Sequence, residues 1–118
     1  MKKAEEIAKR HPDDHPFRVA ARVGPEDRDV ALLHDSLEDG YSNLQEIGIN
    51  FHGQVMQDVI ELTRLPEEPY KDYIARVRRR GGRARRVKIA DINENLQRCK
   101  PSLIERYVEA LKMLEEGS

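Results

Sequence analysis

Apolar residues recur along this chain at helical intervals, in short runs punctuated by proline and glycine, and no window alternates in the manner of a strand. Residues 2–10 read as a polar helix, broken by His11-Pro12-Asp13-Asp14. Phe17, Val19, Ala20 and Val23 give residues 15–23 an apolar face, and Gly24-Pro25 ends that segment. Pro25 suits the first turn of a helix expected to run to about Asp39, with Val30, Leu33 and Leu37 buried and Gly40 as its stop. Ser42-Asn43-Leu44-Gln45 resembles a capping box opening a short helix. Phe51 to Leu65 carries Val55, Val59 and Leu62 at helical spacing, and Pro66 and Pro69 bracket a break. Residues 70–80 read as helix, Gly81-Gly82 interrupts, and residues 84–98 resume it. Pro101 opens a last helix with Leu103, Ile104, Tyr107, Val108, Leu111 and Leu114. The pattern predicts one all-α domain over residues 1–118, a bundle of six to eight short helices.

Composition supports helices over sheets. Hydrophobic residues make up 38% and aromatics only 5%, with no Trp, so the core must be Leu, Ile, Val and Ala. A net charge of -1 creates no global field toward nucleic acid or a membrane. A single cysteine, Cys99, excludes an intrachain disulfide and a cysteine-rich zinc module, and fits a reducing compartment. No apolar run approaches the roughly 20 residues that span a bilayer. The residues from Met1 to Glu6 lack a signal peptide's apolar stretch, so a cytoplasmic protein is expected. Gly117-Ser118 is assigned no function.

The most informative stretch is Val30-Ala31-Leu32-Leu33-His34-Asp35-Ser36-Leu37-Glu38-Asp39. On a regular helix His34, Asp35, Glu38 and Asp39 would share an arc of roughly 140°. Three carboxylates so close repel one another unless a cation or protons intervene. A divalent metal would resolve that conflict; a solvated acidic face is the plainer alternative. His15 lies four residues before Val19 and should face the core side of its segment. Such a histidine is either a satisfied core residue or a ligand. His11 and His52 sit at breaks or in polar surroundings and are poorer candidates. In the apolar segment Val87-Lys88-Ile89-Ala90-Asp91-Ile92, Asp91 shares a strip with Lys88 and Asn95. It reads equally as a ligand or as half of a Lys88–Asp91 ion pair.

In the order His15, His34-Asp35, Asp91, the chain resembles the HD phosphohydrolase superfamily. In detail it is similar to the hydrolase domain of RelA/SpoT proteins and the metazoan SpoT homologue. The segments carrying the resemblance are His15-Pro16-Phe17-Arg18-Val19-Ala20, Ala31 to Asp39, Leu62-Thr63-Arg64-Leu65, and Lys88-Ile89-Ala90-Asp91 with Asn95. It covers roughly residues 12–98. The resemblance implies one divalent metal held by His15, His34, Asp35 and Asp91, with Mn(II) as the physiological ion. The donor set would also admit Fe, Ni, Co or Zn. It implies that Glu38 and Asp39 position and deprotonate the attacking water, and that Asn95 contacts a nucleotide. The expected activity is phosphoester hydrolysis on a small-molecule nucleotide, removal of the 3′-pyrophosphate of (p)ppGpp being the specific form. A nucleotide monophosphatase on the same scaffold is the alternative within the class. Glu94 stands where the family often has His or Tyr, and only Lys9 and Arg10 stand for its longer basic stretch before the first histidine.

Eight basic residues fall between Arg76 and Lys88 with no acid among them. In the enzyme reading some of them bind substrate phosphates, which the planar guanidinium fork suits. Arg18, Tyr73, Arg86, Lys88 and Asn95 are the expected substrate contacts. Others would be solvated. A non-catalytic module binding nucleotide or nucleic acid through residues 76–88 is a further alternative. Nucleic acid is disfavoured by the absence of interleaved aromatics and by the net charge. The last helix could pack internally or against a second copy, as a homo-oligomer.

Overall fold

Four consecutive apolar residues, Val30 to Leu33, leave no polar face on the turn that carries them, and such a helix is stable only when surrounded. In the computed structural model, which describes residues 3–116, it is the centre of the fold. The elements are α1 (Ala4–Ala8), α2 (His15–Ala20), α3 (Arg28–Leu33), α4 (Leu44–Asn50), α5 (Gly53–Glu61), α6 (Tyr70–Arg80), α7 (Gly82–Leu96) and α8 (Ile104–Glu115). Short 3-10 turns at Pro25–Asp27 and Pro101–Leu103 lead into α3 and α8, and no strand occurs among the described residues. All of Val30 to Leu33 are buried, enclosed by α1, α2, α5 and α7. Helices α6, α7 and α8 pack on one another, and α4 on α5. Lys2, where the first helix was expected to start, and Gly117-Ser118 lie outside the described residues.

Several boundaries differ from the sequence pattern, each for a local reason. Helix α3 was expected to reach Asp39 but ends at Leu33, and residues 34–40 continue as turns. Ser36 N and Oγ both donate to the Leu33 carbonyl at 2.9 and 2.7 Å, and His34 Nδ1 donates to the Ala31 carbonyl at 2.5 Å. These bonds occupy carbonyls that a continuing helix would need. Leu37 is half-buried rather than buried. The cap of α4 lies one residue later than expected: Asn43 Oδ1 accepts from Glu46 N at 2.9 Å, while Ser42 Oγ donates to Glu46 Oε1 at 2.7 Å. Phe51 and Leu65 fall outside α5, whose N-cap is His52, with Nδ1 accepting from Gln54 N.

Gly81 and Gly82 both take positive φ (65° and 53°) and break the helix between α6 and α7, as the sequence pattern predicts, although α7 already begins at Gly82, two residues earlier than expected. On α8 the buried residues are Ala110 and Leu114, whereas Ile104 and Val108 are exposed. Among the described residues, no helix is long and apolar enough to cross a membrane.

Candidate metal centre and its pocket

Three distant segments meet at one end of α3. Helix α2 supplies His15 at its first position, the turn after α3 supplies His34 and Asp35, and the middle of α7 supplies Asp91. One ligand atom from each lies within 4.8 Å of all the others. His15 Nε2 is 2.9 Å from Asp91 Oδ1 and 3.7 Å from Asp35 Oδ2. His34 Nε2 is 3.1 Å from Asp35 Oδ2 and 3.4 Å from Asp91 Oδ1.

The His34 ring tests whether these residues suit a cation. Its Nδ1–H is spent on the Ala31 carbonyl, which leaves the Nε2 lone pair for the centre. That Nε2 is buried, makes no aligned hydrogen bond, and faces two carboxylate oxygens. A buried lone pair beside carboxylates is repulsive unless a proton or a metal ion lies between. Burial works against the imidazolium, but Asp35 and Asp91 outweigh it and hold the His34 pKa well above its usual value. Proton and metal would therefore compete for one lone pair. Two imidazole nitrogens and two carboxylates form a donor set for a borderline divalent ion, so the residues fit.

The carboxylates are tuned by their neighbours. Burial pushes Asp91 up, yet Lys88, His34 and the contact with His15 hold it well below the usual carboxylate range. Lys88 Nζ bonds Asp91 Oδ2 at 2.9 Å, so the ion pair read as an alternative to a ligand role coexists with the cluster. Burial likewise opposes ionisation of Asp35, and His34 reverses it. Asp39 goes the other way: burial and the nearby Asp35 charge raise it.

His15, Asp35 and Asp91 of the cluster line a cavity of about 470 Å³, within the usual range for small-molecule sites. Glu38 and Asp39 line it; Glu38 Oε1 accepts the Arg64 backbone N–H at 2.9 Å, which ties the turn after α3 to the loop after α5. Asn95 also lines it, with Nδ2 3.4 Å from Asp91 Oδ1. Tyr73 contributes its ring, beneath Lys88 Nζ at 4.9 Å, but its hydroxyl donates to the Leu62 carbonyl at 2.6 Å. Arg18 lines the cavity yet is held by Glu94 Oε1 at 2.8 Å and by Asp14.

Arg86 is elsewhere. Its guanidinium grips the buried Asp27 carboxylate at 2.6 and 2.8 Å, at the base of α3 rather than in the cavity. Most of its basic segment is likewise committed. Arg76 bonds Glu68, Glu61 and the Thr63 carbonyl; Arg80 and Arg83 clamp the buried Asp58; Arg85 donates to the Leu114 carbonyl. Of residues 76–88, only Tyr-stacked Lys88 turns toward the cavity.

Other residues do face it that the sequence reading left out. Glu94 is buried three residues beyond Asp91, and the same three-residue step that paired Lys88 with Asp91 would have found it. Arg64, Arg98 and Arg106 form the cationic rim, and Tyr70 and Tyr107 form an aromatic wall. Arg106 lies 3.9 Å from the Tyr70 ring centroid. Arg64 lies in the Leu62–Leu65 segment that carries the resemblance, and Tyr70 reads from the sequence as a ring able to stack on a base; no sequence signal marked Arg98, Arg106 or Tyr107, because the loop after α5, the start of α6, the end of α7 and α8 meet only in space. His11, set aside as a residue at a break, also lines the cavity, with its ring 6.3 Å from that of His15. His52 remains a helix cap.

No known family model matches the sequence, and no curated protein matches it.

Proposed function

We propose that this chain is a metal-dependent phosphohydrolase acting on a nucleotide or related small phosphoester, as its resemblance to HD phosphohydrolases implies. One observation supports the reading above all: His15, His34, Asp35 and Asp91 converge from three segments around the unpartnered Nε2 of His34. Mn(II) is the proposed ion. When bound, it would lower the pKa of a water it holds toward neutrality.

The side chains supply the rest. Glu38, fixed through Oε1 by the Arg64 backbone, keeps its other oxygen for orienting that water and taking its proton, with Asp39 beside it. Lys88, Arg64 and Arg98 bring positive charge to the phosphoryl oxygens. Asn95 meets the sugar, and the Tyr70–Tyr107 wall, with ring centroids 6.4 Å apart, receives a base. A cytoplasmic location and removal of a 3′-pyrophosphate from (p)ppGpp belong to the same reading.

A nucleoside monophosphatase is the second reading, and a specific observation favours it. Glu94 holds Arg18 and Arg22 at 2.8 Å each and Asp14 also pairs with Arg18, so two cations beside the cavity already face two carboxylates before any phosphate arrives. A highly charged tetraphosphate needs more free positive charge than such a wall leaves, whereas a monophosphate needs less. Nucleic-acid binding through residues 76–88 has less support, since Arg76, Arg80, Arg83 and Arg86 are paired with acids within the fold.

The deciding experiment is a screen of Mn(II)-loaded protein against nucleoside mono-, di-, tri- and tetraphosphates, with released phosphate and pyrophosphate read separately. Turnover of none of them rejects the proposal. Asp35→Ala and Asp91→Ala should each abolish metal content measured by mass spectrometry. Full occupancy in both rejects the ligand set.

A further inference from the structure

Two tyrosines stand one turn apart on α6, with ring centroids 6.1 Å apart, and the fold treats their hydroxyls differently. Tyr73 donates to the Leu62 carbonyl at 2.6 Å. The Tyr70 hydroxyl is closed off from solvent and bonds nothing. Proteins rarely bury such a donor without a partner, because the bond it gave up to water is not replaced. The ring that carries it is walled in: Tyr107 lies 6.4 Å away, Arg106 3.9 Å and Arg64 5.5 Å from its centroid. Burial raises the Tyr70 pKa, so the hydroxyl keeps its proton and remains a donor at neutral pH.

The cations around the cavity are unevenly paired. On the side of α2 and α7, Arg18 and Arg22 meet Glu94 at 2.8 Å each, and Arg98 lies 3.5 Å from the same carboxylate. On the side of α6 and α8, Arg64 donates from Nε to the Glu68 carbonyl. Among the described residues, neither Arg64 nor Arg106 pairs with a carboxylate. Both guanidiniums lie against the Tyr70 ring, and Lys88 Nζ stands over the neighbouring Tyr73 ring. Donors thus converge on one side of the cavity with too few acceptors, an arrangement that an oxyanion completes. Arg106 is exposed, and the face of Tyr70 is what holds it, a weak restraint at such a site. Its movement toward an incoming anion would unmask the hydroxyl.

We propose that the Tyr70 hydroxyl donates a hydrogen bond to a phosphoryl group bound in the cavity, drawn to that side by Arg64 and Arg106. The proposal rests on the phosphohydrolase reading and adds to it the side on which the phosphoryl group lies. The ring of Tyr70 belongs to the aromatic wall, and its tip serves the phosphate.

Isothermal titration of Mn(II)-loaded protein with inorganic phosphate, beside urea unfolding of the chelator-treated chain, tests this. Tyr70→Phe should bind phosphate about 10-fold more weakly than wild type, the loss of one hydrogen bond to a charged acceptor. It should unfold at the same urea concentration or a higher one, because the hydroxyl bonds nothing within the fold. Tyr73→Phe should do the reverse, unfolding earlier with its phosphate affinity intact. Arg106→Gln should weaken phosphate by about threefold or more, the loss of one unpaired charge. Wild-type phosphate affinity in Tyr70→Phe overturns the proposal, as does a loss of stability matching that of Tyr73→Phe. A wild-type chain that binds phosphate through Tyr70 but turns over no nucleotide keeps the subsite and rejects the hydrolase reading. One that turns over nucleotides equally well as Tyr70→Phe keeps the reading and rejects the subsite. Failure of the wild-type chain to bind phosphate also rejects the subsite.

Discussion

Lys88 Nζ sits 2.9 Å from Asp91 Oδ2, one helical turn away on α7, and both groups are buried. The pair assigns the carboxylate's two oxygens different tasks. Oδ2 answers the lysine, and Oδ1 is left to His15 and His34. The lysine keeps Asp91 ionised in an apolar helix, and an ionised Asp91 is what a cation requires.

Removing that lysine should expose the dependence. Lys88→Met leaves a buried carboxylate without its nearest positive charge, and breaking one side of a buried pair costs about 3 kcal/mol. Urea unfolding of chelator-treated protein should show that loss. Added Mn(II) should recover part of it, because a bound ion replaces the missing charge. Equal stability of Lys88→Met and wild type without metal would show that Asp91 does not depend on the lysine.

Glu38→Gln separates chemistry from structure. The amide oxygen can still accept the Arg64 backbone N–H, so stability and metal content should stay near wild type. The proton acceptor is lost, and turnover should fall by about 100-fold or more. Unchanged turnover would remove Glu38 from the reaction.

Arg86→Ala should act on the fold and not on substrate. It strands the carboxylate of Asp27, whose side chain is 2% exposed, at the base of α3. The guanidinium itself is half exposed, so water can take over part of its role and the loss should be about 2 kcal/mol. KM should be unchanged. A raised KM with normal stability would return Arg86 to the substrate.

The pH dependence of stability carries a signature of Arg76. Hydrogen bonds from Arg76 hold the Glu68 carboxyl below its ordinary value of 4.5. A carboxylate depressed by folding stabilises the protein above its unfolded pKa, and that stabilisation is lost as pH falls through the folded value. Wild-type stability should therefore drop below about pH 4.5 partly through this pair. Arg76→Ala should be less stable near neutrality by about 2 kcal/mol, having lost a charged pair that ties α6 to the end of α5. The variant should show a shallower acid limb in denaturant titrations from pH 3 to 7. Parallel acid limbs in the two proteins would mean that Glu68 does not draw its shift from Arg76.

The sequence by itself determined that the chain is helical and roughly where each helix lies, because 3.6-residue periodicity and the φ demands of proline and glycine are local. The run Val30 to Leu33 marked the central helix, and the spacing of Lys88, Asp91 and Asn95 placed three polar groups on one strip of α7. Helix ends were less legible, since the halt of α3 at Leu33 depends on how Ser36 and His34 spend their donors. Only the tertiary structure decided what the charged residues do. Residues 76–88 look like a basic patch along the chain, but Arg76, Arg80, Arg83 and Arg86 are bound by acids from other segments, Asp27, Asp58, Glu61 and Glu68. The cavity's cations instead come from Arg64, Arg98 and Arg106, single residues in three different segments. Charge acts through space over a few ångströms, and the sequence records distance along the chain.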